Sequence, residues 1–274
     1  MSTPLFTAVV LAGDRRADDP LVVASGKGCK ALLPIAGKPM ILHVLKTLGE
    51  SPAISGVCLS GPSASAVEAE PQLRDDIEAG RIRWRASGPT PSTSAAAALQ
   101  ELDEAEPVLL TTADHPLLQP EHVAYFCAQA LASGADVVVG LAPYPDVRTM
   151  FPTMRKTVLR FADGDYCGCN LFAFLTPRGR AFAELWKQVE SARKTPWRVL
   201  QLLGWTAVLR YRLGLLGLAQ ATSLLTRRTG IRVAAIRMPF GDAGVDVDSP
   251  EDHRLVEAFM RSRRGSAERP VDNG

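Results

Sequence analysis

Phe6-Thr7-Ala8-Val9-Val10-Leu11-Ala12-Gly13 is an apolar, partly β-branched run that ends in a glycine. A run of this length with no polar alternation reads as a strand buried on both faces of a parallel sheet. Runs of the same character recur at 54–60, 82–85, 108–112 and 136–141, and helical patterns at 40–48, 94–102 and 121–132 separate them. Strand and helix in alternation predict βαβ units and an α/β fold, Rossmann-like, with a mostly parallel sheet flanked by helices. Ligands of such sheets bind beyond the carboxyl ends of the strands. The loops after Leu11, Arg85 and Thr112 are therefore where chemistry is sought.

The second half is less regular. Strands are expected at 156–161 and 170–174, joined through the turn signal Asp163-Gly164-Asp165, then helices at 177–192 and 197–225 and a last strand at 231–237. Ser249 fits the N-cap and Pro250 the first position of a final helix. The reading is one domain over 1–264, with a helical insertion at about 177–229 and a polar, disordered tail at 265–274. No internal repeat or low-complexity segment interrupts it.

The chain has 274 residues, with 31 Lys and Arg against 29 Asp and Glu, a formal charge of +2. Without a dense basic run, nucleic acid is not an expected partner. Five cysteines, Cys29, Cys58, Cys127, Cys167 and Cys169, are an odd number. Two of them lie in apolar runs, which suits free thiols in a reducing cytoplasm. Cys167 and Cys169 lack zinc spacing and a second pair. The first residues carry no positive start and no cleavage site, so no signal peptide is expected.

Two segments carry chemistry on their own terms. Leu11-Ala12-Gly13 lets backbone N–H groups approach phosphates, and Lys30 at the far end of the loop adds a mobile positive charge. Together they would hold a triphosphate; the plain alternative is a surface loop with a type II turn at Gly37. In Leu109-Leu110-Thr111-Thr112-Ala113-Asp114-His115-Pro116, an apolar strand delivers a carboxylate at its end and Pro116 stops the strand. Mg²⁺ needs only one or two carboxylates beside substrate phosphates, so Asp114 is a candidate ligand, with a turn or cap as the alternative. His115 reads as a packed or exposed loop residue.

These segments resemble the molybdenum-cofactor guanylyl/cytidylyl- and sugar-1-phosphate nucleotidyltransferases. The resemblance rests on Leu11-Ala12-Gly13, on Lys30, Leu32, Pro34, Gly37 and Pro39, on Asp114-His115-Pro116-Leu117, and on Asp246-Val247-Asp248-Ser249-Pro250-Glu251-Asp252. Asp14 departs from it, standing where that family has a second glycine, and Arg15-Arg16 come early. The resemblance implies a GT-A-like nucleotidyltransferase fold and a Mg²⁺-dependent transfer of a nucleoside monophosphate from an NTP to a small phosphorylated acceptor, releasing pyrophosphate. CTP or GTP is the favoured donor. It makes Lys30 and Asp114 catalytic, Asp114 and Asp248 metal ligands with Asp246 as second choice, and Leu11, Ala12, Gly13, Gly88 and Ser94 nucleotide-binding. Gly88 and Ser94 keep the family's spacing, but Pro91 falls where a base-side arginine would be, and N-capping by Ser92 or Thr93 reads that segment equally well. Gly168 and Asn170 match a Gly-Gly-Asn segment on the acceptor side.

A phosphate acceptor is already anionic near neutral pH, so such a reaction needs alignment and charge neutralisation, not a general base. Other classes remain: a GT-A glycosyltransferase using a sugar nucleotide, and a non-catalytic nucleotide-binding relative. The stretch 197–225 is apolar but broken by arginines, too short on either side to span a membrane. Trp197, Trp205 and Tyr211 beside Arg198, Arg210 and Arg212 suit a helix at a membrane interface. A packed insertion, or a contact in a homodimer, is the alternative. The first of these readings brings in a lipid precursor as acceptor and a peripheral place at the inner face of the membrane.

Overall fold

The computed structural model describes residues 4–14, 19–26, 28–191 and 204–267. At its centre β1 (Phe6–Leu11) is buried along its whole length and pairs in parallel with β4 (Ile54–Ser60) and β6 (Val108–Thr112). Beyond them stand β5 (Ile82–Arg85), β7 (Val137–Pro143), β9 (Gly164–Phe174) and β10 (Val233–Arg237). The order across the sheet is β10-β7-β9-β6-β1-β4-β5, and β8 (Leu159–Phe161) pairs with β9. Seven of the eight strands run one way. Only β9, inserted between β6 and β7 and joined to β8 in a hairpin, runs against its neighbours.

Alternation along β1 builds two cores. Phe6, Ala8 and Val10 face one layer, which includes α2 (Met40–Glu50), α6 (Pro120–Ala132) and α11 (Pro250–Ala267). Val9 and Leu11 face the other, formed by α5 (Pro91–Gln100) and α8 (Pro177–Ser191). The short helices α1 (Pro20–Ser25), α3 (Ala64–Glu68), α4 (Pro71–Glu78) and α7 (Tyr144–Met150) fill the connections. Alanines on α5 (Ala95, Ala96, Ala98) are buried, which lets that helix lie close on β1.

Several boundaries differ from those expected. The strand expected at 156–161 is formed only from Leu159, and its partner starts at Gly164, not Asn170, because the two zip into a hairpin. α5 starts at Pro91, earlier than 94, because Thr90 caps it: Thr90 Oγ1 accepts from the Thr93 N–H, and Thr93 Oγ1 accepts from the Thr90 N–H. Neither Ser92 nor Thr93 is the cap. The turn at Gly37, type II in the plain alternative reading of that loop, is a two-residue hairpin between β2 (Pro34–Ile35) and β3 (Lys38–Pro39), with both Ala36 (φ 48°) and Gly37 (φ 80°) left-handed. The Ala36 N–H is held by Glu257 of α11 at 2.6 Å. The helix expected at 197–225 is two helices, α9 (Trp205–Arg212) and α10 (Leu218–Thr229), turned at Gly214 (φ 68°); 197–203 lie outside the described residues. α11 continues to Ala267, so the expected start of the tail at 265 falls inside a helix; 268–274 lie outside the described residues.

α8 holds α5 at both ends. The Arg180 guanidinium donates to the carbonyls of Leu99 (2.9 Å), Leu102 (2.7 Å), Asp103 and Glu106 (3.0 Å), and Glu190 Oε2 accepts the Ser92 N–H at 3.0 Å. A cation at the C-terminus and an anion at the N-terminus both complement the α5 dipole. Arg180→Ala is expected to lower stability by roughly 1–3 kcal/mol, because carbonyls at that helix end lose a charged donor; urea unfolding measures it.

Candidate active site

The cleft opens at the carboxyl ends of the parallel strands β1 and β6. Leu11, Gly13 and Asp14 follow β1, Thr112 and Asp114 end β6, and Lys30, Asp19, Val22, Pro91 and Asp248 complete a solvent-open hollow of about 630 Å³. A continuation lined by Gly88, Pro89, Thr90 and Ser94 shares Leu11, Gly13, Asp14 and Pro91 with it. Gly13 is required by close packing, since a Cβ there would lie 2.7 Å from Ser87 Cβ. Gly61 crosses directly behind with φ 81°, where a Cβ would lie 2.9 Å from the Gly13 nitrogen. The fold therefore brings bare backbone to the end of β1.

The centre is charged. Lys30 Nζ lies 2.7 Å from Asp114 Oδ2 and 2.8 Å from Asp248 Oδ1. Burial alone would lower the Lys30 pKa, but the two carboxylates outweigh it and raise it above the ordinary lysine value. Burial alone would raise the Asp114 pKa, but Lys30 holds that carboxyl below its usual range. Both groups are charged at neutral pH. Asp114 Oδ1 is buried and has no hydrogen-bond partner of ordinary geometry among the described residues. An unpartnered carboxylate oxygen is costly unless something fills its remaining valence. Among the described residues no three His, Cys, Asp or Glu side chains converge to hold a metal alone; of the cleft-lining carboxylates, Asp114 and Asp248 are the two that meet at Lys30.

The backbone joins these pieces. The Val247 N–H donates to the Asp114 carbonyl at 2.9 Å, and Val245 and Val247 are buried, so Asp246 and Asp248 turn to the other side of the chain. They diverge in partners all the same. Asp246 is ion-paired with Lys156 and accepts from Asn170 Nδ2 at 2.9 Å, while Asp248 meets Lys30. Burial raises the Asp246 pKa despite Lys156. Asp246 is thus tied up behind the cleft, and Asp248 is the carboxylate that faces it. Ser249 and Asp252 form the cap of α11, Ser249 Oγ accepting the Asp252 N–H at 3.1 Å.

Asp14 lines the cleft and does not point away from it. Its Oδ1 accepts the Lys30 N–H at 3.0 Å, closing the loop that starts at Gly13. Ser94 Oγ accepts the Gly88 N–H at 2.9 Å, so these two form one strut of the cleft wall. Ala12 is buried behind that wall, its N–H bonded to Ser60 O at 2.8 Å. On the other side Gly168 and Asn170 lie on β9, away from the residues that line the hollow; Gly168 is exposed and Asn170 (φ 51°) reaches Asp246. Lys156, Asp19 and Thr112 were not anticipated as site residues. Lys156 has no local motif, because its partner is 90 residues away.

His115 is fully packed, 1% exposed, and burial pulls its pKa down to about 4 despite the neighbouring Asp114. An unfolded histidine takes its proton near 6.5, the folded one near 4, so stability is full above about pH 6.5 and falls as pH drops through that window. The expected loss is about 1.4 kcal/mol per pH unit from this group. Denaturation midpoints from pH 7 downward should show the slope, and His115→Asn should flatten it by one proton. All five cysteines are free and buried, and burial raises the pKa of Cys127 to about 12.

Helices on both faces of a mostly parallel sheet, with a polar cleft at the ends of its central strands, place this molecule among the GT-A-like nucleotidyltransferases. Within them the chain belongs to the family of MobA-like NTP transferase domains, which matches residues 8–193. It is 28% identical to a hypothetical transferase from Thermus thermophilus, with TM-score 0.75 over 91% of this chain and 99% of that one. It shares its fold with 4-diphosphocytidyl-2C-methyl-D-erythritol synthase from Anaerococcus prevotii (12% identity, TM-score 0.56, 94% and 96% covered). A CMP:2-keto-3-deoxy-manno-octonic acid synthetase solved with CTP is similar at 15% identity and TM-score 0.55, covering 96% of this chain and 100% of that one. The bifunctional protein GlmU of Azorhizobium caulinodans is 33% identical over 131 residues, 45% of this chain. The chain spans only 29% of the length of that relative.

Proposed function

We propose that this nucleotidyltransferase moves a nucleoside monophosphate from an NTP, CTP or GTP by preference, onto a small phosphorylated acceptor and releases pyrophosphate. The observation that carries the reading is the Lys30 ammonium held between Asp114 and Asp248 at the mouth of a glycine-walled strand end. The backbone past Leu11 and the Gly88–Ser94 strut form the donor wall. Lys30 is placed to turn from its carboxylates to the triphosphate and offset the charge that builds as pyrophosphate leaves.

The residues fit Mg²⁺: Asp114 and Asp248 meet at Lys30 in the cleft, Asp114 with a buried oxygen lacking a partner of ordinary geometry, and substrate phosphates would supply further ligands. Asp114 and Asp248 would hold it, and when bound it supplies Lewis-acid charge neutralisation at the phosphates. Asp246 stays with Lys156 and Asn170 as the floor beneath them. On the acceptor side, the exposed Gly168 and the neighbouring Asn170 on β9 would border the place of a phosphate-bearing small molecule or lipid precursor. The likeness to a 4-diphosphocytidyl-2C-methyl-D-erythritol synthase and to a CMP:2-keto-3-deoxy-manno-octonic acid synthetase favours CTP first. A glycosyltransferase would instead take a sugar nucleotide as donor.

The test is thermal stabilisation by CTP, GTP, ATP and UTP, each with and without Mg²⁺, and by nucleotide sugars. Ligand at a hundred times its dissociation constant adds about 2.7 kcal/mol. A Mg²⁺-dependent shift with one triphosphate supports the proposal and names the base; a shift only with nucleotide sugars replaces it by the glycosyltransferase.

A further inference from the structure

The described chain exposes six large hydrophobic side chains, and four of them, Trp205 (71%), Leu209 (48%), Leu213 (62%) and Leu215 (57%), lie on α9 and the turn after it. Trp205, Leu209 and Leu213 follow at intervals of four, so they form one stripe along one face of the helix. The opposite face is spent on the protein: Ala207 is buried, Tyr211 packs edge-on against Phe161, and the Tyr211 hydroxyl accepts the Arg160 N–H at 3.2 Å. A stripe of this kind, unlike a lone exposed leucine, marks a surface that binds something.

Charge decides what. From Trp205 to Thr229 the sequence holds four arginines, Arg210, Arg212, Arg227 and Arg228, and no Asp, Glu or Lys. The preceding 192–203 adds Arg193, Lys194 and Arg198, again without an acid, in a chain whose whole formal charge is +2. Asp163, an acid at the start of α10, is engaged in capping that helix through the Leu218 N–H at 2.8 Å. Arg210 is braced at the corner between the two helices, donating to Leu215 O and Gln220 Oε1, and with Arg227 it walls an open depression of about 750 Å³. A second copy of this chain would set arginine against arginine, with no acid to answer them in a two-fold contact.

We infer that α9 and α10 dock the protein on an anionic lipid bilayer, with Trp205, Leu209, Leu213 and Leu215 entering the acyl boundary and the arginines among the phosphate headgroups. No helix of the described residues is long and apolar enough to cross a membrane, so the contact lies in the interface. The docking helices rest on the β8/β9 hairpin, whose longer strand carries Gly168 and Asn170, so the bilayer would lie on the acceptor side of the fold. The inference does not depend on which reaction the cleft performs.

The experiment is flotation of the full chain with vesicles of phosphatidylcholine and phosphatidylglycerol, and with phosphatidylcholine alone, at low and high salt. Binding is expected to the anionic vesicles at low salt, about fivefold weaker for each of Arg212→Gln and Arg227→Gln and lost in Trp205→Ser with Leu213→Ser. These side chains are exposed, so an unchanged melting temperature verifies that the variants fold. Brominated lipid should quench wild-type tryptophan emission and do so less in Trp205→Phe. Equal flotation with neutral vesicles, or none with anionic ones, overturns the inference. So does a dimer in sedimentation equilibrium that Trp205→Ser dissociates while flotation is absent, which would assign the stripe to a second copy.

Discussion

Lys30→Ala is expected to reduce turnover by on the order of 10² to 10³ while lowering stability by about 1–3 kcal/mol. The two numbers have different origins. In the free protein Lys30 stands between Asp114 and Asp248, and after burial the charges of those two carboxylates also raise the pKa of Asp246. Removing the ammonium leaves that cluster with Lys156 as its neighbouring cation, and the open side of the cleft, which admits water, keeps the penalty below that of a fully buried pair. In the proposed reaction turnover suffers more, because the charge leaving with pyrophosphate would be met by a preorganised cation only while Lys30 is present. Steady-state pyrophosphate release and urea unfolding on the same preparation check both. A loss of stability with turnover intact would make Lys30 a structural counter-ion and nothing more.

Asp114→Asn should be the more severe change for activity, on the order of 10³ or beyond, and the milder for folding. The amide keeps the shape of the carboxylate but removes the charge facing the cleft and replaces one oxygen by a donor. It also frees Lys30 from its shorter ion pair, 2.7 Å against 2.8 Å to Asp248. The readout that separates it from a folding defect is ligand-linked stability: Mg²⁺-dependent stabilisation by triphosphate should vanish, while the melting temperature without ligand stays within a few degrees of wild type. Retained Mg²⁺-dependent stabilisation would move the metal to Asp248 and other groups.

Much of this site was legible because its parts are local. A strand that runs into Gly13, a carboxylate delivered by a strand that Pro116 stops, and a serine-capped helix after Asp248 are each readable within ten residues, and the structure places all three at one edge of the sheet. Asp246 illustrates the limit. Alternation correctly put it on the same side of the chain as Asp248, yet alternation cannot show that Lys156 and Asn170 arrive from elsewhere to occupy it. The long helix expected at 197–225 failed for a related reason. Apolar periodicity continued across Gly214, but a left-handed residue there turns the chain, and the packing of Tyr211 on Phe161 rewards the turn.

By itself the sequence determined the α/β class and the mostly parallel sheet implied by alternating strands and helices, because backbone sterics and hydrophobic period act over a few residues; Lys30 and Asp114 stood out as candidates by their places at a loop end and a strand end, and Asp248 by resemblance alone. The tertiary structure alone decided the antiparallel entry of β9 between β6 and β7, the bracing of α5 by Arg180 and Glu190, the closure of the loop by Asp14 and the pairing of Lys156 with Asp246. Each of those joins residues far apart in the chain, so its energy exists only after the sheet has brought them together.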